Sequence, residues 1–140
     1  MKNKIVAISP DDTLAHWTTV SKYLSRVIEH GQGESNLTDY LRKCLNGMAQ
    51  CWLVIDENSI IIGVGLTEFL QYSRHKTLHI IAFAGDNFNE QAGVFPTIVE
   101  YAKNNNCKSI EQWGRKGWAK TLPKYLPDFK EVYTVMRMDL

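Results

Sequence analysis

Residues 50–84 constrain this chain more than any other stretch. Three apolar runs, "QCWLVID", "IIIGVGLTEFL" and "TLHIIAFA", are separated only by the short polar segments "ENS" and "QYSRHK". Runs of this length, rich in β-branched residues and bounded by turn-forming residues, are expected to be strands. Connections this short can join only antiparallel neighbours. The middle of the chain therefore predicts a three-stranded meander. If "QYSRHK" closes a hairpin, Leu70 faces Thr77 and Glu68 faces His79 on one side of the sheet. A slip of one residue would send the two side chains to opposite faces. Two glycines, Gly63 and Gly65, interrupt the middle strand and mark a bulge or the close approach of another segment.

The flanking segments change period. "KIVAIS" (4–9) is a short strand, and Ser9-Pro10-Asp11-Asp12 is a helix start with Ser9 as cap. Leu14, Trp17, Val20, Leu24, Val27 and Ile28 recur at three- and four-residue steps and give one helix an apolar face. "GQGES" ends it, and a second amphipathic helix carries Leu37, Tyr40, Leu41, Cys44, Leu45 and Met48. After the meander come a helix through "VFPTIVEYAKNN", a strand "KSIEQW", a helix from "GRKGWAKTLPKYL" and a last strand from the alternation in "EVYTVMRMDL". Antiparallel strands followed by a strand–helix–strand crossover imply an α+β architecture. The expectation is one domain over residues 1–140, with a mixed, mostly antiparallel sheet and helices on both faces.

The 140 residues carry a net charge of +1, which gives no overall pull toward nucleic acid or an anionic membrane. No apolar run approaches the roughly 20 residues that span a bilayer. Cys44, Cys51 and Cys107 lack the spacing of a zinc site or redox pair and are expected as buried apolar residues in a reduced, cytoplasmic setting. His16, His30 and His75 have no companion at ligand spacing, so no metal is expected.

The order of elements, with Ala84-Gly85-Asp86, Glu90, Ala92, Cys107, Ile110, the run Gly114-Arg115-Lys116-Gly117-Trp118 and Leu122, resembles the GNAT fold of acyl-CoA-dependent N-acetyltransferases. It is most similar to small GNAT-like proteins encoded by tailed bacteriophages. The resemblance implies acetyl-CoA as cofactor, a small-molecule or protein amine as acceptor, and the host cytoplasm as location. It equally admits a non-catalytic scaffold that binds a host or virion protein. In GNAT enzymes the third meander strand carries the pantetheine arm, here the backbone of Phe83, Ala84 and Gly85. The loop that follows holds the pyrophosphate through an Arg/Gln-x-x-Gly-x-Gly/Ala pattern. With Ala102 as anchor, Asn106 takes the place of a helix-ending glycine, a left-handed position that asparagine tolerates. In the same register Asp86 stands at the Arg/Gln position, Asn89 at the first glycine and Gln91 at the second. The usual acid tyrosine, four residues after Ala119, is replaced by Pro123, with Tyr125 two residues beyond.

Amine acetylation needs a group to take a proton from the ammonium, and the Glu68–His79 pair is the candidate base. The same pair would also serve as a cross-strand polar contact at the sheet's rim. Tyr125 is the candidate acid. Lys116, Lys120 and Lys124 share a helical face beside Arg115, as contacts for phosphate or as a solvated face. Asn89, Gln91, Arg115 and Lys116 complete the candidate cofactor contacts. Trp113 and Trp118 are expected in the core, docking the last helix through Gly114 and Gly117.

Overall fold

The computed structural model describes residues 3–31, 33–87, 91–114 and 116–140. Asn89 and Arg115, two of the candidate cofactor contacts, lie outside the described residues, as does the side chain of Lys116. Five strands form one sheet in the order β1-β2-β3-β4-β5, with β1 at Lys4–Ile8, β2 at Gln50–Ile55, β3 at Ile61–Gln71, β4 at Lys76–Gly85 and β5 at Ser109–Gln112. The first four are antiparallel to their neighbours, and β5 joins β4 in parallel. The α+β expectation is met, including the parallel crossover.

Local chemistry explains most boundaries. Helix α1 (Pro10–Ala15) starts where the Ser9 hydroxyl accepts from the Asp12 amide, with Pro10 in the first turn. The continuous helix expected over 10–28 breaks at His16, and α2 runs from Trp17 to Ile28. Helix α3 (Leu37–Leu45) opens with a reciprocal Asn36–Asp39 capping box. Helix α4 (Phe95–Asn104) begins late because Pro96 fits only the first turn. It ends before Asn106, which adopts the left-handed φ of 62°. Helix α5 covers Lys116–Tyr125 and contains Pro123.

Strand alternation divides the core in two. Cys51, Leu53, Val64, Leu66, Ala82 and Ala84 meet Val20, Tyr23 and Leu24 of α2 and Tyr40 and Cys44 of α3 on one face. Trp52, Val54, Leu78 and Phe83 meet Phe95, Ile98 and Ala102 of α4 and Leu122 of α5 on the other. The β3–β4 register shifts between Leu66↔Ala82 and Thr67↔Ile80, which leaves Ile81 as the extra residue of a bulge. Ile81 and Ala82 consequently pack into the same α2–α3 cluster.

One element departs from expectation. Residues 130–140 form no strand, and Tyr133, Val135, Met136 and Met138 are exposed. A period of two specifies an extended chain but not a partner. The β5 strand, at four residues, offers only a short edge.

Candidate active site

The meander hairpin sets the geometry of the site. Gln71 pairs with Lys76, Leu70 with Thr77 and Glu68 with His79, the register expected from the turn length. Both side chains point to the α1–α3 face. His79 Nδ1 lies 2.7 Å from Glu68 Oε2, and Lys43 Nζ of α3 donates to Glu68 Oε1 at 3.2 Å. Glu68 therefore holds His79 with one oxygen and is anchored by a lysine through the other. In the neutral imidazole, a carboxylate at Nδ1 takes the ring proton and leaves the lone pair on Nε2. That Nε2 is buried and has no hydrogen-bond partner among the described residues. An unpartnered buried nitrogen costs stability in a resting protein. An oriented imidazole with one free nitrogen is also what proton abstraction needs.

Around the pair lie groups that the sequence did not place beside it. The ring of Trp113, at the end of β5, lies 4.1 Å from the His79 ring, tilted by 33°. The Trp113 side chain is not core, as expected, but 57% exposed, since β5 ends at Gln112 and leaves it on the surface. Trp113 Nε1 donates to Glu111 Oε1 at 3.1 Å, and the Tyr72 hydroxyl donates to the same oxygen at 2.9 Å. That bond is the main reason the Tyr72 hydroxyl is pushed above its ordinary range. Tyr40 is raised as well, first by burial and then by the charges of Glu34, Asp39 and Glu68. Trp118, by contrast, packs with the α4–α5 cluster as expected.

The far end of β4 is built differently. The β4–β5 ladder stops at Ile80↔Gln112, while β4 continues to Gly85. The two strands are therefore paired over their first residues only, and β4 runs five residues further. Phe83 points to the α4–α5 face, with its ring 5.4 Å from Phe95, and Ala84 points to the α2–α3 face. Gln91 is 1% exposed and donates through Nε2 to the Ile62 carbonyl at 2.8 Å. A Cβ at Gly63 or Gly85 would overlap its amide, so the two glycines are the floor on which Gln91 rests. The glycine signal in β3 thus marks a close approach, but by a side chain. Any contact of Gln91 with a ligand would fall to its backbone, because the amide is taken up inside.

Asp86, just past β4, accepts from the Tyr23 hydroxyl at 2.7 Å and from Arg26 at 3.1 Å. The Tyr23 bond, with Arg26, holds the Asp86 carboxyl below the usual carboxylate range. Burial, and then Asp86 itself, push Tyr23 up to about 12. The acid at this position is thereby offset by a cation from α2.

Tyr125 is not brought to the Glu68–His79 pair. It packs with Leu126 and Phe129 against the cluster on the opposite face of the sheet. Lys120 and Lys124 are exposed on α5. Among the described residues no group of three His, Cys, Asp or Glu is placed to hold a metal ion, and no helix is long and apolar enough to cross a membrane.

No protein-family model matches the sequence, and no curated protein matches it significantly. Solved structures do match. An aminoglycoside acetyltransferase from an uncultured soil metagenomic sample, in complex with sisomicin, aligns with a TM-score of 0.72 at 16% identity, over 99% of this chain and 96% of its own. Glucosamine-6-phosphate N-acetyltransferase from Arabidopsis thaliana aligns at 0.64 and 14% identity, over 99% and 100%. An acetyltransferase from Trypanosoma brucei aligns at 0.66 and 14%, over 99% of both chains. The chain has the GNAT fold that these acetyltransferases share.

Proposed function

We propose that this chain is an acyltransferase that moves an acetyl group from acetyl-CoA to an amine, with His79, oriented by Glu68, as proton acceptor. The 2.7 Å contact between His79 Nδ1 and Glu68, with Nε2 left without a partner among the described residues, is the observation that carries the reading. The fold of the solved acetyltransferases supports it but does not by itself fix an activity.

The residues at the end of β4 suit the cofactor. The strand extends five residues past its last β5 partner, so a pantetheine arm would lie along the backbone of Phe83, Ala84 and Gly85. Asn89, the backbone of Gln91, Arg115 and Lys116 are the groups we assign to its phosphates. Bound acetyl-CoA supplies an activated acyl carbon. This chain's own part is to strip and aim the acceptor. His79 Nε2 takes a proton from the substrate ammonium, and the imidazolium so formed keeps its Nδ1–H on the Glu68 carboxylate. Lys43 prevents Glu68 from turning away. Tyr125, on the other face, is the candidate for returning a proton to the departing thiolate. The acceptor is a small-molecule or protein amine, and the setting is the cytoplasm.

Asp86 favours a second reading. It stands where the resembled pattern has Arg or Gln, offers a phosphate no donor, and occupies Tyr23 and Arg26, the donors beside it. In that reading a phage-encoded protein keeps the scaffold without catalysis and binds a host or virion protein. Calorimetric titration with acetyl-CoA separates the two. Micromolar binding is the result expected for the transferase; no heat at millimolar ligand would leave the scaffold reading standing.

A further inference from the structure

The surface beside His79 has a composition that the proton-transfer role does not use. Glu111 sits on β5 directly across from His79 in the parallel ladder. Its Oε1 accepts from two neutral donors, Tyr72 and Trp113, and no Lys or Arg among the described residues forms an ion pair with it. Neutral donors orient a carboxylate without cancelling its charge. Beside it, the Trp113 indole stacks on the His79 ring yet is 57% exposed. An open indole next to a carboxylate that, among the described residues, is held only by neutral donors attracts a cation twice over, through the ring quadrupole and through the charge. The second, independent observation is His79 Nε2, buried and unpartnered within the same group of side chains. The free base and the cation-attracting surface are neighbours through a single pair of stacked rings.

We infer that Trp113 and Glu111 form a docking site for a second positive charge on the acceptor, so that the preferred substrates are diamines or polyamines rather than monoamines. One ammonium rests against the indole and Glu111 while the other presents its proton to His79 Nε2. This rests on the acyltransferase reading, which it extends by naming the acceptor class. Tyr72 acts as a positioning residue that fixes the Glu111 carboxylate.

The test uses the full chain and reads binding separately from turnover. 1,4-Diaminobutane and butylamine are titrated without acetyl-CoA and followed by calorimetry, and both are then offered as acceptors with acetyl-CoA. The expected result is roughly tenfold tighter binding of the diamine, the scale of one cation–π contact plus one exposed charge. Glu111→Gln should bring the diamine-to-monoamine ratio close to one, and Trp113→Leu should reduce it several-fold. Tyr72→Phe should lower it with Glu111 retained, a check available should Glu111→Gln fold poorly. Equal affinity for the two amines, no binding of either, or a preference that survives Glu111→Gln would overturn the inference. Diamine binding without acetyl transfer would overturn the acyltransferase reading and leave the docking site intact. Transfer to both amines at equal efficiency would do the reverse.

Discussion

Gly63→Ala offers a clean test of how the end of the sheet is packed. Gly63 has no positive φ, so alanine meets no backbone strain there. In an open strand the exchange would stabilise by about 0.4–1 kcal/mol through the unfolded chain. Here the new Cβ would overlap the Gln91 amide and lie 3.1 Å from its Cδ; the next neighbour, the Ala84 carbonyl oxygen, is at 3.2 Å. Gln91 is 1% exposed and tied to the Ile62 carbonyl, so it cannot swing aside without breaking that bond. Overpacking of this kind costs about 1–3 kcal/mol. Removing the obstacle should remove the cost. Gln91→Ala alone gives up one hydrogen bond, about 1 kcal/mol. In that background Gly63→Ala should be close to neutral, with the Ala84 carbonyl giving way by a few tenths of an ångström. A double-mutant cycle by urea denaturation therefore predicts a favourable coupling of about 1–3 kcal/mol, a difference in midpoint shift of roughly 0.5–1.5 M at an m-value of about 2 kcal/mol/M. Equal destabilisation by Gly63→Ala in both backgrounds would refute the placement of Gln91.

Two further outcomes follow from the core. Thr67→Val should cost about 1–3 kcal/mol in urea denaturation, because it strands the Trp52 indole N–H, which donates to Thr67 Oγ1 at 2.9 Å inside the sheet; an unchanged midpoint would show that N–H bonded elsewhere. Burial pushes the Cys44 thiol up to about 11 and that of Cys51 up to about 12. Because a raised pKa removes thiolate at any pH below it, only about one Cys44 in a thousand is reactive at pH 8. Iodoacetamide with the folded protein should modify half-buried Cys107 first and leave both others until unfolding, as peptide mapping would show. Rapid labelling of Cys51 would contradict its position.

The hairpin was legible because closing "QYSRHK" as a turn sets Leu70 across from Thr77, and in that register Glu68 faces His79, as it does in the structure. The Ser9 cap and the left-handed Asn106 were legible for a similar reason, since each is local chemistry. What escaped depended on contacts between distant segments. The alternation at 132–138 describes an extended chain but says nothing about whether an edge is available to it. Trp113 suggested core by residue type, yet the end of β5 leaves it outside, and only the fold sets it on His79. The apolar period ran through His16 uninterrupted, while the structure breaks the helix there. Lys43 and Glu111 carried no signal, because Glu68 lies 25 residues from the first and Tyr72 39 residues from the second.

The direct test of the central claim is the rate of acetyl transfer from acetyl-CoA to a primary amine by the intact chain and by His79→Gln. Glutamine keeps polar atoms near Glu68 but cannot accept the proton, so kcat/KM should fall by about 10²–10⁴-fold, the usual worth of a positioned general base. Circular dichroism and the urea midpoint establish that the variant is folded. Equal rates for the two proteins would contradict the assignment of His79 as the proton acceptor.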